Sequence, residues 1–217
     1  MKCIVTAGPA YEELDEVRRL TNFSTGTLGI ELANFLTTRG HEVELLLGHY
    51  STCRIEPHAR RTQVFTTSAD LRWRLRALRV KRPDAVFHAA AVSDFSFGKV
   101  WFRAEDGKLK EVKSPKITSR GGNLLAELVP ATKIISKLRE WFPKARIVGW
   151  KYELEGARAQ AIERAARQLA DNRTDACVIN GRAYGKGFGL LSTNGKNRHL
   201  ADKPALFEAL DRLITHS

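Results

Sequence analysis

The chain has 217 residues, of which 43% are hydrophobic and 28% charged, a composition typical of one folded domain that excludes global disorder. Its 36 lysines and arginines outnumber its 24 acidic residues, giving a formal net charge of +12 at pH 7, which favours anionic partners such as phosphorylated small molecules, nucleic acid or an acidic membrane surface. The three cysteines, Cys3, Cys53 and Cys177, are widely spaced and odd in number, which excludes a disulfide framework and a CxxC site.

The start of the chain has the pattern of a strand rather than of a targeting segment. Met1 and Lys2 lead directly into the short β-rich run Cys3–Thr6, with no apolar h-region and no cleavage site. No apolar stretch in the sequence approaches the ~18 residues of a membrane span, and free thiols fit a reducing compartment. We therefore expect a cytoplasmic protein with no membrane partner.

Short apolar runs alternate with amphipathic segments along the chain. The predicted strands are Lys2–Thr6, Glu42–Leu47, Gln63–Thr67, Asp84–Val92, Leu124–Leu128, Arg146–Lys151 and Asp175–Asn180. Their apolar residues are contiguous rather than alternating, as in a parallel sheet that is covered on both faces.

The amphipathic segments predict helices between and after these strands. They are Leu28–Arg39, Ser68–Val80, Thr132–Trp141, Gly156–Asp171 and Lys203–Ile214. The first ends at Gly40, a candidate C′ glycine, and Ser68 is a candidate N-cap of the second. The inward face of the fourth is expected to hold Ile162, Ala165, Ala166 and Leu169. Together the elements predict an α/β fold, a Rossmann-like, doubly wound, mainly parallel sheet with helices on both faces.

Two stretches do not follow this alternation of strands and helices. About thirty residues, 93–123, lack clean periodicity and hold four glycines, and so long a loop in a compact domain is usually functional or mobile. We expect a long flap there, with a plain surface excursion as the alternative. Residues 181–200 predict a hairpin that turns at Asn194-Gly195. The whole chain, 1–217, is predicted to be a single domain.

The turn between the first strand and the first helix is a candidate phosphate site. Gly8 follows the strand, and Gly26 and Gly29 stand at the helix N-terminus, where free N–H groups and the helix dipole favour an anion. A tight turn with close helix–strand packing explains the same glycines equally well. The sequence has no GxxxxGK[ST] motif, and no GxGxxG follows the first strand, so a P-loop is excluded and NAD binding is disfavoured.

Small and polar residues also follow the fourth predicted strand. Ala89, Ala90 and Ala91 would let a ligand approach the backbone, and Asp94 could accept its hydrogen bonds. Packing alanines and a turn aspartate are the alternative. Since ligands of open parallel sheets bind beyond the carboxyl ends of the strands, several such ends together favour a binding site. The six histidines show no metal-ligand spacing.

Taken together and in order, several stretches resemble phosphopantothenate–cysteine ligase (phosphopantothenoylcysteine synthetase), in the stand-alone form of the DNA/pantothenate metabolism flavoprotein C-terminal domain family. They are Val5–Pro9, Leu14–Arg18, Thr21–Gly29, Ala90–Phe95, Lys116–Ser119, Leu128–Pro130, Lys133–Ile135, Val148–Glu153 and Cys177–Asn180. Many bacterial members carry an N-terminal flavin-dependent decarboxylase, and this chain begins directly at the ligase part.

The resemblance implies a ligase of coenzyme A biosynthesis that joins 4′-phosphopantothenate and L-cysteine through an acyl-nucleotidyl intermediate. The implied co-substrate is a nucleotide triphosphate, CTP or ATP, with Mg²⁺ and without flavin. The implied assembly is a homodimer, and a separate phosphopantothenoylcysteine decarboxylase is a further candidate partner.

The resemblance also implies roles for individual residues. The catalytic residues would be Asn22 and Lys116. The nucleotide would contact Gly8, Ser24, Gly26, Gly29, Trp150 and Asn180. The pantothenate substrate would contact Arg18, Asn22, Ala90, Ala91 and Asp94. Arg18 would reach across a dimer interface to the substrate phosphate, and Lys116 would close over the intermediate from the flap, where Lys108, Lys110 and Lys113 are alternatives. Trp150 stands where phenylalanine is usual and Gly181 where many members have aspartate, so the choice of nucleotide stays open, as do the metal ligands.

A basic nucleic-acid-binding Rossmann-like module without catalysis is the competing hypothesis. Nine basic residues stand against two acidic ones between Arg54 and Arg82. Arg72, Arg76 and Arg79 share one helix face, although leucines on the other face also fit a core helix with a solvated outer side, and no RNA-binding motif or aromatic platform accompanies the arginines. An FMN-dependent decarboxylase or oxidoreductase is a weaker third hypothesis, for which the purified protein would be coloured.

Overall fold

The computed structural model describes residues 1–215. The strands are β1 Lys2–Ala7, β2 Tyr11–Glu13, β3 Arg19–Thr21, β4 Glu42–Gly48, β5 Arg61–Phe65, β6 Ala85–His88, β7 Phe95–Arg103, β8 Leu109–Glu111, β9 Asn123–Pro130, β10 Arg146–Tyr152, β11 Ala176–Asn180, β12 Phe188–Ser192 and β13 Asn197–Leu200. The helices are α1 Thr27–Thr38, α2 Ser68–Leu78, α3 Ile135–Trp141, α4 Arg158–Asn172 and α5 Lys203–Thr215.

Eight strands form the central sheet, in the order β13-β12-β11-β10-β6-β1-β4-β5. The six strands from β11 to β5 are parallel, and β12 and β13 join antiparallel through the predicted hairpin at Asn194-Gly195. Chain order therefore reverses at β1, which lies between β4 and β6. This is the predicted doubly wound, mainly parallel Rossmann-like sheet. Ligands of such sheets bind in the crevice beyond the carboxyl ends of the strands where the order reverses, which are here β1 and β6.

Helices cover both faces of the sheet. On one face α1 and α5 pack over Cys3 and Val5 of β1, and on the other α2 and α3 pack over Ile4. The helix α4 packs beside them on this second face, against Cys177 and Ile179 of β11. Alternate residues of β1 face opposite sides of the sheet, and both sides are buried. The strand is therefore apolar throughout, which explains the contiguous runs of apolar residues in the sequence.

The stretch between β6 and α3 differs from the prediction. Residues 93–123 are not an irregular loop, and the predicted strand Leu124–Leu128 does not join the parallel sheet. Instead β7, β8 and β9 form a separate antiparallel sheet of order β8-β7-β9, with a register shift between Phe97 and Val100. The shift interrupts the two-residue alternation of β7, which explains why the periodicity is hard to see. We call this sheet with its connecting loops, residues 93–130, the flap.

Several boundaries also move. The third helix begins at Ile135 rather than Thr132, and the N-cap of α2 is Thr67, whose hydroxyl accepts the N–H of Asp70 at 3.1 Å, instead of Ser68. On α4, Ala165 is buried as predicted but Ala166 is exposed. Gly40 does follow α1 with a φ of 83°, the left-handed conformation of a C′ glycine.

The short hairpin of β2 and β3 was not predicted from the sequence, and it lies between β1 and α1. All three cysteines are free thiols. Burial raises the pKa of Cys3 and of Cys177 to about 12, so both are unreactive core residues at neutral pH. Within residues 1–215, none of the helices has both the length and the hydropathy needed to cross a bilayer.

Candidate functional site

The turn after β1 meets the segment after β6 at the reversal point of the sheet. The N–H of Ala91 donates to the carbonyl of Gly8 at 3.0 Å, and the N–H of Ala10 donates to the carbonyl of Ala91 at 2.9 Å. Gly8 has a φ of 80°, a conformation that favours glycine. Thus Gly8, Ala90 and Ala91, all predicted site residues, lie side by side, and the predicted strand Asp84–Val92 ends at His88 because its alanines bond to this turn.

The N-terminus of α1 opens onto the same turn. Gly26 is the N-cap, has a φ of 79° and provides no side-chain cap, and a Cβ there would lie 3.2 Å from the Cα of Gly8. The hydroxyl of Thr25 accepts one N–H of the first turn, from Thr27 at 3.3 Å. The absent cap leaves this end open to an anion. Gly29 has a packing role, since a Cβ there would lie 2.5 Å from the Cβ of Ala7.

Two buried polar atoms lie on the neighbouring strands β10 and β11. Trp150 pairs in register with Val178, and Tyr152 pairs with Asn180, so these side chains share the sheet face that α1 and α5 cover. The indole Nε1 of Trp150 and the Oδ1 of Asn180 are buried and have no hydrogen-bond partner among the described residues. An unsatisfied buried polar group costs about 1–3 kcal/mol. A donor and an acceptor thus lack partners at two residues that the resemblance assigns to the nucleotide.

The turn between β2 and β3 is joined to the flap through Asp15. Its carboxylate accepts the backbone N–H groups of Val17, Arg18 and Ile117 at 2.9, 2.7 and 3.1 Å, and the guanidinium of Arg18 donates to it at 2.7 and 3.1 Å. Arg18 also donates to the carbonyl of Ile117, and the N–H of Glu16 donates to the carbonyl of Pro115 at 3.0 Å. The predicted site residue Arg18 is thus held beside the backbone that carries Lys116.

The carboxylate of Asp15 is strongly favoured over its protonated form. Burial alone would raise its pKa, but the three backbone N–H groups and the Arg18 guanidinium outweigh burial and lower the pKa to about 2. Its side chain is 1% exposed. Sequence reasoning assigned no role to Asp15, although it lies in the Leu14–Arg18 stretch that carries part of the resemblance.

The lysines of the flap differ in their surroundings. Lys108 pairs with Asp106 at 2.9 Å and Lys113 with Glu111 at 3.6 Å, whereas Lys116 is exposed and no hydrogen bond or ion pair of its side chain is found within residues 1–215. Lys110 is likewise exposed, on β8. An unpaired ammonium group is available to an anionic ligand, which favours Lys116 over Lys108 and Lys113.

Asn22 and Asp94 are both exposed, Asn22 directly after β3 and Asp94 directly before β7. The carbonyl of Asn22 accepts the N–H of Ser24 at 2.9 Å, and its carboxamide makes no hydrogen bond to the described part of the chain, so it does not cap the turn. The Asp94 carboxylate is 73% exposed and lies 3.8 Å from the ammonium of Lys133. Neither side chain is committed to the fold.

A buried polar pair that the sequence analysis missed supports the alanine segment. The Nδ1 of His88 and the hydroxyl of Thr6 lie 2.9 Å apart, and the N–H of Ala90 donates to the same hydroxyl at 3.1 Å. Burial lowers the pKa of His88 to about 4, so the ring is neutral at pH 7. The pair fixes the backbone at Ala90. A polar residue at the end of each of two central apolar strands is the signal that could have revealed it.

The basic helix α2 has the two faces that the sequence indicates. Leu71, Leu75 and Leu78 are buried, and Arg72 and Arg76 are exposed. One detail was wrong: an aromatic side chain does accompany the arginines, since Trp73 is 67% exposed. In the part of the chain that the structure covers, no group of three or more His, Cys, Asp and Glu residues is arranged to hold a metal ion.

Residues 1–203 match the family described as DNA/pantothenate metabolism flavoprotein C-terminal domain. The chain is 32% identical over 179 residues to the coenzyme A biosynthesis bifunctional protein CoaBC of Thermococcus kodakarensis, which covers 82% of this chain and 41% of that protein. The chain thus spans less than half the length of the curated relatives it matches.

Solved structures give the same picture of the fold. The crystal structure of the DNA/pantothenate metabolism flavoprotein from Streptococcus pneumoniae superposes with a TM-score of 0.86 at 25% identity, covering 100% of this chain and 99% of that one. A Cab2 mutant in complex with phosphopantothenate-cysteine shares the fold, with a TM-score of 0.72 at 19% identity, covering 99% of this chain and 88% of that one.

Proposed function

The chain belongs to the DNA/pantothenate metabolism flavoprotein C-terminal domain family, and on this premise we propose that it is a phosphopantothenate–cysteine ligase that uses CTP or ATP. Its curated relatives include the coenzyme A biosynthesis bifunctional proteins CoaBC of Thermococcus kodakarensis and Bacillus subtilis. The observation that carries the proposal is the pair of unpartnered buried atoms, Trp150 Nε1 and Asn180 Oδ1, on the sheet face where the uncapped end of α1 also lies.

Two successive steps make up the proposed reaction. First, the carboxylate of 4′-phosphopantothenate attacks the α-phosphorus of the nucleotide, so a P–O bond forms and the bond to the β-phosphate breaks, releasing pyrophosphate. Second, the amine of L-cysteine attacks the activated carbonyl, so the amide forms, nucleoside monophosphate leaves and the amine loses a proton. Because two anions meet in the first step, cations and oriented N–H donors are needed around them.

The nucleotide is assigned to the crevice on the α1 side of the sheet. The backbone at Gly8, Ser24 and Gly26 and the open N-terminus of α1 would hold its phosphates, with Gly29 allowing α1 to pack closely on β1. The ring of Trp150 would line the base, and Nε1 and the Asn180 carboxamide would complete their hydrogen bonds with the base or ribose. Mg²⁺ would accompany the triphosphate, whose oxygens suit it.

The acyl substrate is assigned to the reversal point of the sheet and to the flap. Ala90 and Ala91 present backbone there, which Thr6 and His88 hold in place. Asp94 would accept hydrogen bonds from the pantothenate amides and hydroxyls, and the free carboxamide of Asn22 would donate to the carbonyl or phosphoryl oxygen as charge develops. Arg18 would bind the substrate phosphate through the N–H groups of its guanidinium that Asp15 and Ile117 leave free. Lys116 would neutralise charge on the intermediate.

We further propose that two copies of the chain form a homodimer. Three apolar side chains of the β2–β3 hairpin and the loop that follows it are exposed: Val17 by 54%, Leu20 by 41% and Phe23 fully. Such a group within seven residues is unusual on a monomer and marks an interaction surface. The same segment carries Arg18 and Asn22, so a second copy would bury apolar surface directly beside the site.

The relatives described as bifunctional suggest a further partner. The product of the proposed reaction is an N-acylcysteine that keeps the cysteine carboxyl group, so a decarboxylase could act on it in the next step. We propose that a separate phosphopantothenoylcysteine decarboxylase acts next. The flavin of such an enzyme would not be bound by this chain.

Pyrophosphate release tests the proposal directly. The purified protein is incubated with Mg²⁺, 4′-phosphopantothenate and either CTP or ATP, with and without L-cysteine. We expect pyrophosphate with one of the nucleotides, and nucleoside monophosphate and the amide only when cysteine is added. Absence of pyrophosphate with both nucleotides would overturn the proposal.

Binding of nucleic acid remains the second candidate function. The observation that favours it is the exposed Trp73 beside Arg72 and Arg76 on α2, since an aromatic ring among arginines can stack on a base. This surface is the outer side of α2, which packs on the sheet face opposite to α1, rather than the carboxyl ends of β1 and β6.

A further inference from the structure

The side chain of Asp15 links the β2–β3 hairpin to the flap. Its carboxylate accepts five hydrogen bonds, three from backbone N–H groups and two from the guanidinium of Arg18. One of the three, from Ile117, spans 102 residues of sequence. This bond and the one from Arg18 to the carbonyl of Ile117 attach the flap to the hairpin immediately after Lys116.

The arrangement fixes two cationic groups relative to each other. The side chain of Arg18 is 45% exposed, so part of its guanidinium is held by Asp15 and Ile117 while the rest faces solvent. Ile117 itself is 6% exposed and anchors the loop, whereas its neighbour Lys116 points into solvent. A side chain on an anchored backbone is restricted to fewer positions than one on a free loop.

An ionised carboxylate is required for this link. Both oxygens of Asp15 accept bonds, Oδ1 from Val17 and Arg18 and Oδ2 from Ile117 and the Arg18 side chain. An asparagine at position 15 would have only one accepting oxygen, and its NH₂ group would replace either Oδ1 or Oδ2. The hydrogen bonds to the replaced oxygen would be lost, and their N–H donors would face the N–H groups of the amide.

We infer that Asp15 is a positioning residue, which aligns the Arg18 guanidinium and the Lys116 segment of the flap so that both act on the same acyl substrate. The inference rests on the proposed function, since it assigns Asp15 a part in the binding and activation of a phosphorylated carboxylic acid. Asp15 acts through its two neighbours and does not touch the substrate.

The test uses Asp15→Asn in the full chain, with Asp106→Asn as the matched control. Asp106 is also an acidic residue of the flap region, but it is exposed and bonds only within its own turn, to Lys108. Four quantities are compared with the unaltered protein: kcat, the KM for each substrate, the melting temperature, and the rate of tryptic cleavage after Lys116 and Arg120.

For Asp15→Asn we expect kcat to fall about 10- to 100-fold, the usual size of a misplacement effect. The KM for phosphopantothenate should rise, while the KM for the nucleotide stays unchanged because its crevice is formed by other elements. Cleavage after Lys116 should accelerate, and the melting temperature should fall only modestly, because the lost hydrogen bonds lie outside the core of the central sheet. Asp106→Asn should change none of the four quantities.

The outcomes separate this inference from the function on which it rests. If the unaltered protein is active and Asp15→Asn keeps its kcat and both KM values, the positioning role is wrong and the ligase proposal stands. A large fall in melting temperature with unchanged kinetics would make Asp15 a purely structural residue. If the unaltered protein is inactive, the ligase proposal fails, and unchanged tryptic cleavage would then also disprove the link between Asp15 and the flap.

Discussion

The side chain of Asn22 has no evident role in the fold, but its carboxamide could act as a hydrogen-bond donor in the proposed reaction. Its carboxamide makes no hydrogen bond within the described chain, so Asn22→Ala should leave the melting temperature almost unchanged. If it is a preorganised donor to the reacting oxygen, the rate should fall about 10²–10³-fold, or roughly 3–4 kcal/mol. Asn22→Asp should be worse, since it adds negative charge beside a triphosphate and a carboxylate. Pyrophosphate release and thermal melts of the variants check both statements.

Asn34 provides the matched control for this prediction. Its side chain donates to the carbonyl of Glu56 at 2.8 Å and accepts the N–H of His58 at 2.7 Å, so it ties a loop to α1. Asn34→Ala should lower the melting temperature and keep activity, the opposite of Asn22→Ala. An active but less stable Asn22→Ala would contradict the assigned role.

The side chain of Trp150 allows the nucleotide site to be tested by one substitution. Trp150→Phe keeps an aromatic ring but removes Nε1, the buried donor without a partner. If Nε1 donates to the nucleotide, the KM for that nucleotide should rise about 2- to 10-fold, as expected for one neutral hydrogen bond of about 0.5–1.5 kcal/mol. The KM for phosphopantothenate should stay unchanged. Trp73→Phe, on the exposed face of α2, is the control that should alter neither constant.

For individual residues, the sequence indicated those that lie at strand ends but not those that hold them in place by hydrogen bonds. Gly8, Ala91 and Asn180 follow apolar runs, so their place at the carboxyl edge of the sheet could be predicted from order alone. His88 and Asp15 could not, because their importance lies in hydrogen bonds to Thr6 and Ile117, which are 82 and 102 residues away in the chain. One sequence carries no direct sign of such pairings.

Among the elements, those of the parallel sheet were predicted well and the flap poorly. A strand buried on both faces is apolar throughout, and the helices that cover it show a clear 3.6-residue period. Both patterns can be recognised in a single sequence. The strand β7 is largely exposed or half-buried and contains a register shift, so it shows neither signal. Residues 93–123 were thus expected as a loop. The position of the flap between β6 and α3 was correct, and so was the strand at Leu124–Leu128, which lies within β9.

The basic helix α2 leads to a prediction that separates the two candidate functions. If its arginines are only a solvated face, Arg72→Glu combined with Arg76→Glu should leave ligase activity nearly unchanged, because both side chains point away from the buried leucines. Binding to duplex DNA or to RNA should be undetectable at physiological salt, where non-specific contacts are weak. Filter binding and pyrophosphate release on the double variant check this.

A matched pair elsewhere controls for net charge. Lys196 and Arg198 are exposed on the hairpin at the opposite edge of the sheet, so Lys196→Glu with Arg198→Glu makes the same change of charge far from α2. Nucleic-acid binding that is tight at physiological salt, lost in the α2 variant and kept in the control would establish the nucleic-acid function.

Over the whole molecule, the site is a consequence of topology. The order of the strands reverses at β1, where open parallel sheets bind their ligands, and the long connection after β6 forms the flap. The sequence was sufficient to predict a doubly wound sheet and a flap after β6, but not the strand at which the order reverses. It was not sufficient to show that Arg18 and the Lys116 segment are joined within one chain, which bears on how two copies would share their sites.

The expected homodimer makes a quantitative prediction about shared sites. If Arg18 serves the partner's site while Asn22 serves its own, Arg18→Ala and Asn22→Ala each inactivate both sites of a homodimer. A mixed dimer then has one site with both defects and one with neither. Random pairing of equal amounts gives about half mixed dimers, so co-expression of the two variants should restore about a quarter of the unaltered activity.

Co-expression with two different affinity tags and purification over both isolates the mixed dimer, whose activity should then reach about half of the unaltered value, since one of its two sites is intact. Each variant expressed alone with both tags is the control and should stay inactive. A mixed dimer that forms but shows no activity would mean that Arg18 and Asn22 act at the same site of one chain. The Asp15 link would then hold Arg18 and Lys116 over that chain's own crevice, and the dimer would contribute no residue to catalysis.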